Sequence, residues 1–473
     1  MTRFASLSLA LTRFASLSLA LSRFASRSLA LNRFVSLSLA LLLPACGEES
    51  LPAQGHVLLH VTTDAPLPAA IDEADDLDQA PLFDRLQIDV FPVGQTQPCA
   101  GCSRQVAADR SRLADASFAL QGGVADIRLR LYRSAGSNSG APRARSTIDR
   151  TVRIAPPAEG RVDAHVVLKT DDVGLPNAMV AVADGGPPAG VVGSWPGASV
   201  TPCSAPTRDD DACIPGGAQW LGDPNLDTTG FPEKDGAHER LVVLAPYFLD
   251  LKEVTVSEFR ASGLATALIL GGPSDNPREK DHGIVGCVYT TQTSDSDTLP
   301  VNCLSWSKAK QYCESLGKRL PTEAEYERAA SALGRSRFVW GSDLPSCEDA
   351  VQDREGLDAE CASLGAGPAP AGSGLRDVLD RDGKRIVDLM GNVNEWAADR
   401  WNRDDEGCWS SPLILVNPSC DAVSATDGNA RVFRGGDYGS SGLLLHASLR
   451  GFVIDENFAV DAHLGFRCAR GGN

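Results

Sequence analysis

Thirteen cysteines in a chain of 473 residues with only 3 methionines and 7 histidines are the side chains with most chemistry to offer. Thiols on that scale serve metals or catalysis in a reducing compartment and form disulfides in an oxidising one. Cys46 stands apart, closing the segment Leu43-Pro44-Ala45-Cys46-Gly47. Small residues before a thiol, after an apolar run, read as a bacterial lipobox in which Cys46 is the lipidation site and takes a diacylglycerol. An ordinary signal peptide with a chance cysteine is the alternative, and the acidic, small-residue stretch 47–55 fits a tether better. The other twelve are even in number, and local pairing suggests Cys99 with Cys102, Cys203 with Cys213, Cys287 with Cys303, Cys347 with Cys361, and Cys408 with Cys420. Cys313 and Cys468 remain, far apart in sequence. Cys99-Ala100-Gly101-Cys102 has redox or half-zinc-site spacing, but no βαβ pattern surrounds it and no second such motif exists, so a small structural loop is expected. His56, His60, His165, His238, His282, His446 and His463 show no H-x-H, H-x-x-H or H-E-x-x-H spacing, and are expected as surface or hydrogen-bonded residues.

The leader decides the compartment. Residues 1–40 are four near-copies of one decapeptide, carried by Arg3, Arg13, Arg23 and Arg33. A ten-residue period matches no solenoid and reads as duplication within a signal segment. The longest charge-free stretch, 34–47, is shorter than the roughly 20 residues that span a bilayer, yet suits a secretory signal. The expectation is therefore a bacterial cell-envelope lipoprotein. Its membrane partner would be engaged through acyl chains worth about 0.8 kcal/mol per buried methylene. Gly47, in place of an aspartate, favours an outer membrane over an inner one; the face is left open.

Hydrophobic residues at 43%, charged residues at 22% and a mean hydropathy of −0.12 describe a globular body rather than a disordered or polytopic one. Lys plus Arg number 44 against 61 Asp plus Glu, net −17; without the five leader arginines the balance is 39 to 61, net −22. Such a surface repels phosphate backbones and excludes nucleic acid as a partner.

The elements that must position any site fall into two textures. Over 56–170, short alternating runs such as 56–62, 86–91 and 125–131 are divided by Gly, Pro and Ser and predict an all-β sandwich of immunoglobulin or transthyretin type. Residues 171–215, rich in Gly, Pro and Ala, read as a linker. From 216 to 473 helix signals appear: capping boxes at Thr255–Glu258 and Thr322–Glu325, helical spacing of Trp306, Ala309, Cys313 and Leu316 (or Tyr312), and Gly317 as a left-handed stop. A second helix is expected from Glu323 to Leu333, ending at Gly334. The rest is short, Gly-rich and Trp-bearing, which gives an α+β, loop-rich domain. The expected division is thus leader 1–45, tether 46–55, sandwich 56–170, linker 171–215 and C-terminal domain 216–473.

Several C-terminal segments together resemble the formylglycine-generating enzyme, or sulfatase-modifying factor, family. They include Val301-Asn302-Cys303-Leu304-Ser305-Trp306, Gly317-Lys318-Arg319-Leu320-Pro321-Thr322-Glu323, Asp388-Leu389-Met390-Gly391-Asn392-Val393-Asn394-Glu395-Trp396, Phe433-Arg434-Gly435-Gly436 and Gly465-Phe466-Arg467-Cys468, in the family's order. The resemblance implies a C-type-lectin-like fold and a disulfide between Cys313 and Cys468. It also implies an oxidase that holds copper between two thiolates five residues apart and converts a substrate cysteine to formylglycine. Ser440 and Leu445 occupy those two positions here, so no copper and no catalytic residue are expected; a hydroxyl and an isobutyl group do not replace soft sulfur ligands. A structural calcium is implied instead, on the carboxylates of Asp388 and Glu395 and the carbonyls of Gly391 and Val393, a donor set suited to a hard cation. A second calcium would fall near Asp349, with Asp353 or Asp358. The family's Trp between Val393 and Glu395 is Asn394. The function expected is recognition of an envelope or extracellular protein or glycan. The alternatives are an oxidase on sulfatase-type cysteine substrates with other ligands, or another enzyme using the same cleft.

Overall fold

The computed structural model describes residues 55–70, 78–114, 116–121, 123–137, 140–223, 225–226, 234–235, 239–264, 286–356, 358–403, 406–410, 414–453 and 461–473. The leader, Cys46, nearly all of the tether, His238 and His282 lie outside them. No helix of the described residues is long and apolar enough to cross a membrane.

From His56 the period-2 segments form strands: β1 (His56–Thr63), β2 (Arg85–Pro92), β3 (Ser103–Ala107), β4 (Ala116–Gln121), β5 (Ala125–Tyr132), β6 (Thr147–Ile154), β7 (Arg161–Leu168), β8 (Ala178–Val180) and β9 (Ala183–Asp184). They build two sheets, ordered β4-β1-β7-β9 and β3-β2-β5-β6-β8. β1 runs antiparallel to β4 and parallel to β7, with His56 opposite Arg161. Val57, Leu59 and Val61 of one sheet and Ile127, Leu129 and Leu131 of the other alternate into a single core, as the two-residue period of a strand requires. The second sheet's other face carries charge pairs, Arg130 to Asp89 at 2.6 Å and Arg153 to Asp126 at 2.7 Å.

That core does not stop at the sheets. Ala218, Trp220 and Leu241 of the C-terminal region belong to it. Trp220 donates its indole N–H to the Leu82 carbonyl at 2.7 Å and packs edge-on to Phe83. Gln79 bonds both the carbonyl and the N–H of Ala218. Residues 171–215, expected from composition as a linker, carry β8 and β9 and bury Trp195 and Ala198 in the same core. The Trp195 indole N–H donates to Asp171 at 2.8 Å. Gly and Pro content reports backbone punctuation and does not register two well-placed apolar anchors.

In the C-terminal region Thr255 and Thr322 form both capping boxes, with Glu258 and Glu325. The helix Trp306–Ser315 buries Trp306, Ala309, Tyr312 and Cys313, and Leu316 stays 44% exposed, so Tyr312 is the residue that completes the stripe. Gly317, at φ 66°, ends it, with Lys318 N–H returning to Cys313 O at 2.8 Å. The second helix spans Glu323–Ala330, three residues short of expectation. Ser331 turns its hydroxyl back to Glu327 O at 2.6 Å, and Ala332 and Leu333 take left-handed φ of 48° and 64°. Leu333 thereby reaches the core without continuing the helix. The strand Asn394–Arg400 lies beside Arg431–Arg434 and Leu464–Gly465 in a five-stranded sheet, which brings the 388–396 turn against the final segment.

Candidate functional site

The structure joins Cys99 to Cys102, Cys203 to Cys213, Cys287 to Cys303, Cys313 to Cys468, Cys347 to Cys361, and Cys408 to Cys420. No free thiol remains among the described residues. Cys347, Asp358 and Cys361 are the one described group of three with metal-ligand spacing, but both sulfurs are bonded to each other, and Asp358 caps the helix Ala359–Ser363. Asp349 is likewise engaged, accepting Ser346 N–H at 2.8 Å and lying 3.6 Å from Arg376.

The loop 435–445 leaves strand Arg431–Arg434 through Gly435 and Gly436, at φ 102° and 85°. A Cβ at Gly435 would stand 2.6 Å from the Tyr326 hydroxyl and one at Gly436 2.6 Å from Leu445, so this tight approach requires glycine. Ser440 accepts Asp437 N–H at 3.3 Å, while Leu445 is fully buried beside Leu389 and Met390. Asn394 closes the loop from below: its amide donates to Asp437, and its carbonyl accepts Gly436 N–H at 3.1 Å. The Tyr438 ring stacks on His463 at 4.5 Å. His463 bonds Asp461 at 3.2 Å and Glu355 at 3.1 Å. The bond to Asp461, aided by the Asp437 and Glu355 carboxylates, lifts its pKa to about 9 and keeps the ring protonated at neutral pH.

Beneath this loop lies a cluster of fully buried acids. Asp388, at φ 55°, starts the turn that Gly391, Val393 and Glu395 complete. A Cβ on Gly391 would lie 2.7 Å from the Val351 carbonyl. Glu395 is paired with Arg467, whose Nε contacts both carboxylate oxygens at 2.8–2.9 Å, and it accepts the Tyr326 hydroxyl at 3.0 Å. Asp388 accepts Gly372 N–H at 2.6 Å on one oxygen; the other is shut from solvent with no N–H donor, and the Glu253 carboxyl lies within hydrogen-bond reach of Asp388. Glu253 repeats that state, with one oxygen taking the Asn392 amide at 3.1 Å and the other reached by no N–H. Asp377 accepts Leu389 and Met390 N–H at 3.0 and 2.8 Å. Burial raises all four carboxyls, Asp377 to about 8 and Asp388 to about 6; the Asp388 charge adds to the rise of Glu253 and Asp377. Four buried acids share one guanidinium. The residues with free capacity for a hard cation are Asp388 and Glu253, because Glu395 is already held by Arg467.

Sequence reasoning places Asp388 and Glu395 in one turn and misses Glu253, Asp377 and Arg467 as its companions. Glu253 is 135 positions away and Arg467 nearly 80, and neither alternation nor helical spacing carries information over such separations.

The sequence pattern of the sulfatase-modifying factor enzyme 1-like domain matches residues 198–471. The formylglycine-generating enzyme of Thermomonospora curvata is 28% identical over 300 residues, 54% of this chain and 91% of its own. The inactive Cα-formylglycine-generating enzyme 2 of Bos taurus is 31% identical over 177 residues, 37% of this chain and 50% of its own. The solved structure of PvdO from Pseudomonas aeruginosa aligns at 24% identity with a TM-score of 0.39, over 55% of this chain and 94% of that one.

Proposed function

The chain belongs to the sulfatase-modifying factor enzyme 1-like family, and from that premise we propose that it is a member without oxidase chemistry, serving recognition at a bacterial envelope. One observation carries this reading. Ser440 and Leu445 stand where the resemblance places two thiolates, and every described cysteine is in a disulfide. A soft cuprous ion has no sulfur donor to bind, so no step through copper follows. What the region retains is a rigid, disulfide-stapled set of loops, the kind of surface on which proteins place binding sites.

A structural calcium belongs to the same proposal. Asp388 and Glu253 each keep a buried oxygen that no N–H reaches, and a divalent cation would replace the proton the two carboxyls otherwise share. The turn at Gly391 and Val393 would bring backbone carbonyls to it. The Leu43-Pro44-Ala45-Cys46 segment supports lipid anchoring, and Cys46→Ser is expected to abolish partitioning into detergent.

The deciding experiment loads the purified protein with Cu(I), then measures metal content and oxygen consumption on a cysteine-containing peptide. Sub-stoichiometric copper with no oxygen uptake is expected. Stoichiometric copper with turnover overturns the reading.

A further inference from the structure

Between the end of β5 and the segment after helix Glu323–Ala330 lies a cavity of about 330 Å³, room for a ligand of sugar-acid size. Arg133 enters it from the N-terminal sheets, outside the family-matched residues, and Arg335 and Arg337 enter from the C-terminal region. All three line it in a chain of net charge −17, and Arg335 already donates to the Gln79 carbonyl at 3.3 Å. The acids of the lining are already satisfied. Glu327 accepts Gly222 N–H at 2.6 Å and the Ser448 hydroxyl at 3.0 Å, and it pairs with Arg434. Asp223 accepts Asn225 N–H at 2.9 Å.

Among the donors, free capacity remains on Arg133 Nε and on Arg337. His446 is 4% exposed and takes Ser448 N–H on Nδ1 at 3.1 Å, so a neutral ring carries its proton on Nε2. That nitrogen faces the Asp223 carboxylate at 3.3 Å and is engaged by it. Arg133 is held by Glu239 at 2.8 Å over the Trp220 ring, with its Nε–H buried and unbonded. The Arg337 side chain is exposed and pairs with no acid among the described residues. Arginine forks beside acids that are already satisfied suit a group that only accepts hydrogen bonds.

We propose that this cavity binds a small oxyanion, the sulfate, phosphate or carboxylate of a compact polar ligand. It gives the recognition reading a ligand class while standing apart from the copper question, which oxygen consumption decides separately. The test follows the melting of the full chain in sodium sulfate, sodium phosphate or sodium glucuronate against sodium chloride at matched ionic strength. At least one of the three should raise the melting temperature saturably at millimolar concentration; the glucuronate arm separates a carboxylate site from a tetrahedral-anion site. Arg337→Glu, a surface change that leaves the core intact, should raise the half-saturating concentration tenfold or more, whereas Arg403→Glu, at an exposed position outside the cavity lining, should leave it unchanged. A flat response to all three anions, a rise that chloride reproduces, or an undiminished response in Arg337→Glu overturns the proposal.

Discussion

The acid cluster around Asp388 and the loop 435–445 touch each other, Tyr438 N–H reaching Asn392 O at 2.9 Å, yet their chemical states are opposite. In the cluster, Glu253 and Asp388 keep buried oxygens that no N–H reaches, and the two carboxyls have one another as hydrogen-bond partners. In the loop, Asp437, Asn394 and the backbone satisfy one another, and Leu445 is ordinary core. A buried group left without a partner costs more than a made bond gains; under the calcium proposal the first region is where a cation would act in place of a proton shared by the two carboxyls, and the second offers no such place. The sequence already separates the two by Ser440 and Leu445; the burial and bonding of the atoms give that separation its physical form.

The largest test of that contrast removes the frame that both regions lean on. Cys313–Cys468 closes 155 residues beside Arg467, and the chain-entropy account assigns it about 5 kcal/mol. The paired Cys313→Ala and Cys468→Ala substitutions should lower the unfolding free energy by an amount of that order in urea titration. Arg467→Met comes next. It leaves Glu395 charged and alone in the core and should cost about 3–5 kcal/mol.

Calcium removal follows. Binding to the folded state alone adds about 2.7 kcal/mol at a hundredfold excess over Kd, so chelator should depress the melting temperature in the native protein and barely in Glu253→Gln. The pH dependence has a definite sign. Asp388 and Asp377 are raised to about 6 and about 8, above the unfolded value near 4, so their contribution is fully present below about pH 4 and is lost as pH rises through those folded values. Chelated protein should therefore weaken from pH 5 to 8, and calcium should flatten that slope. Identical pH profiles with and without calcium would remove the distinction between the two regions.

The smallest effects belong to the loop. His463, raised to about 9, stabilises fully below about pH 6.5 and loses that contribution as pH rises through 9. His463→Gln should erase this alkaline limb, and its ring resonance in the native protein should titrate near 9. Ser440→Ala removes one 3.3 Å acceptor and should cost about 0.5–1 kcal/mol with no change in the calcium response.

Local chemistry was legible in the sequence. A Thr with a Glu three residues on can cap one way only, and both boxes form. Cysteines 3 to 16 residues apart are bridged within their own loops. Non-local chemistry was not legible. Nothing near Asp388 announces Glu253, and nothing in β1 announces a parallel partner a hundred residues on. The end of the helix at Ala330 was missed because the Ser331 hydroxyl bonds back to Glu327 O within the helix, and Leu333 answers to the core rather than to propensity.

The shared core also sets a timetable. β1 cannot complete its surroundings until Trp220 and Leu241, 164 and 185 residues downstream of His56, have been made. At translation rates of about 5–20 residues per second, the apolar faces of both sheets wait roughly 10 to 40 s for their last wall. Pairings of such long sequence separation close slowly. A chain built this way depends on its N-terminal strands being kept from other contacts until its middle has arrived, and those strands are the surface a holdase would have to cover.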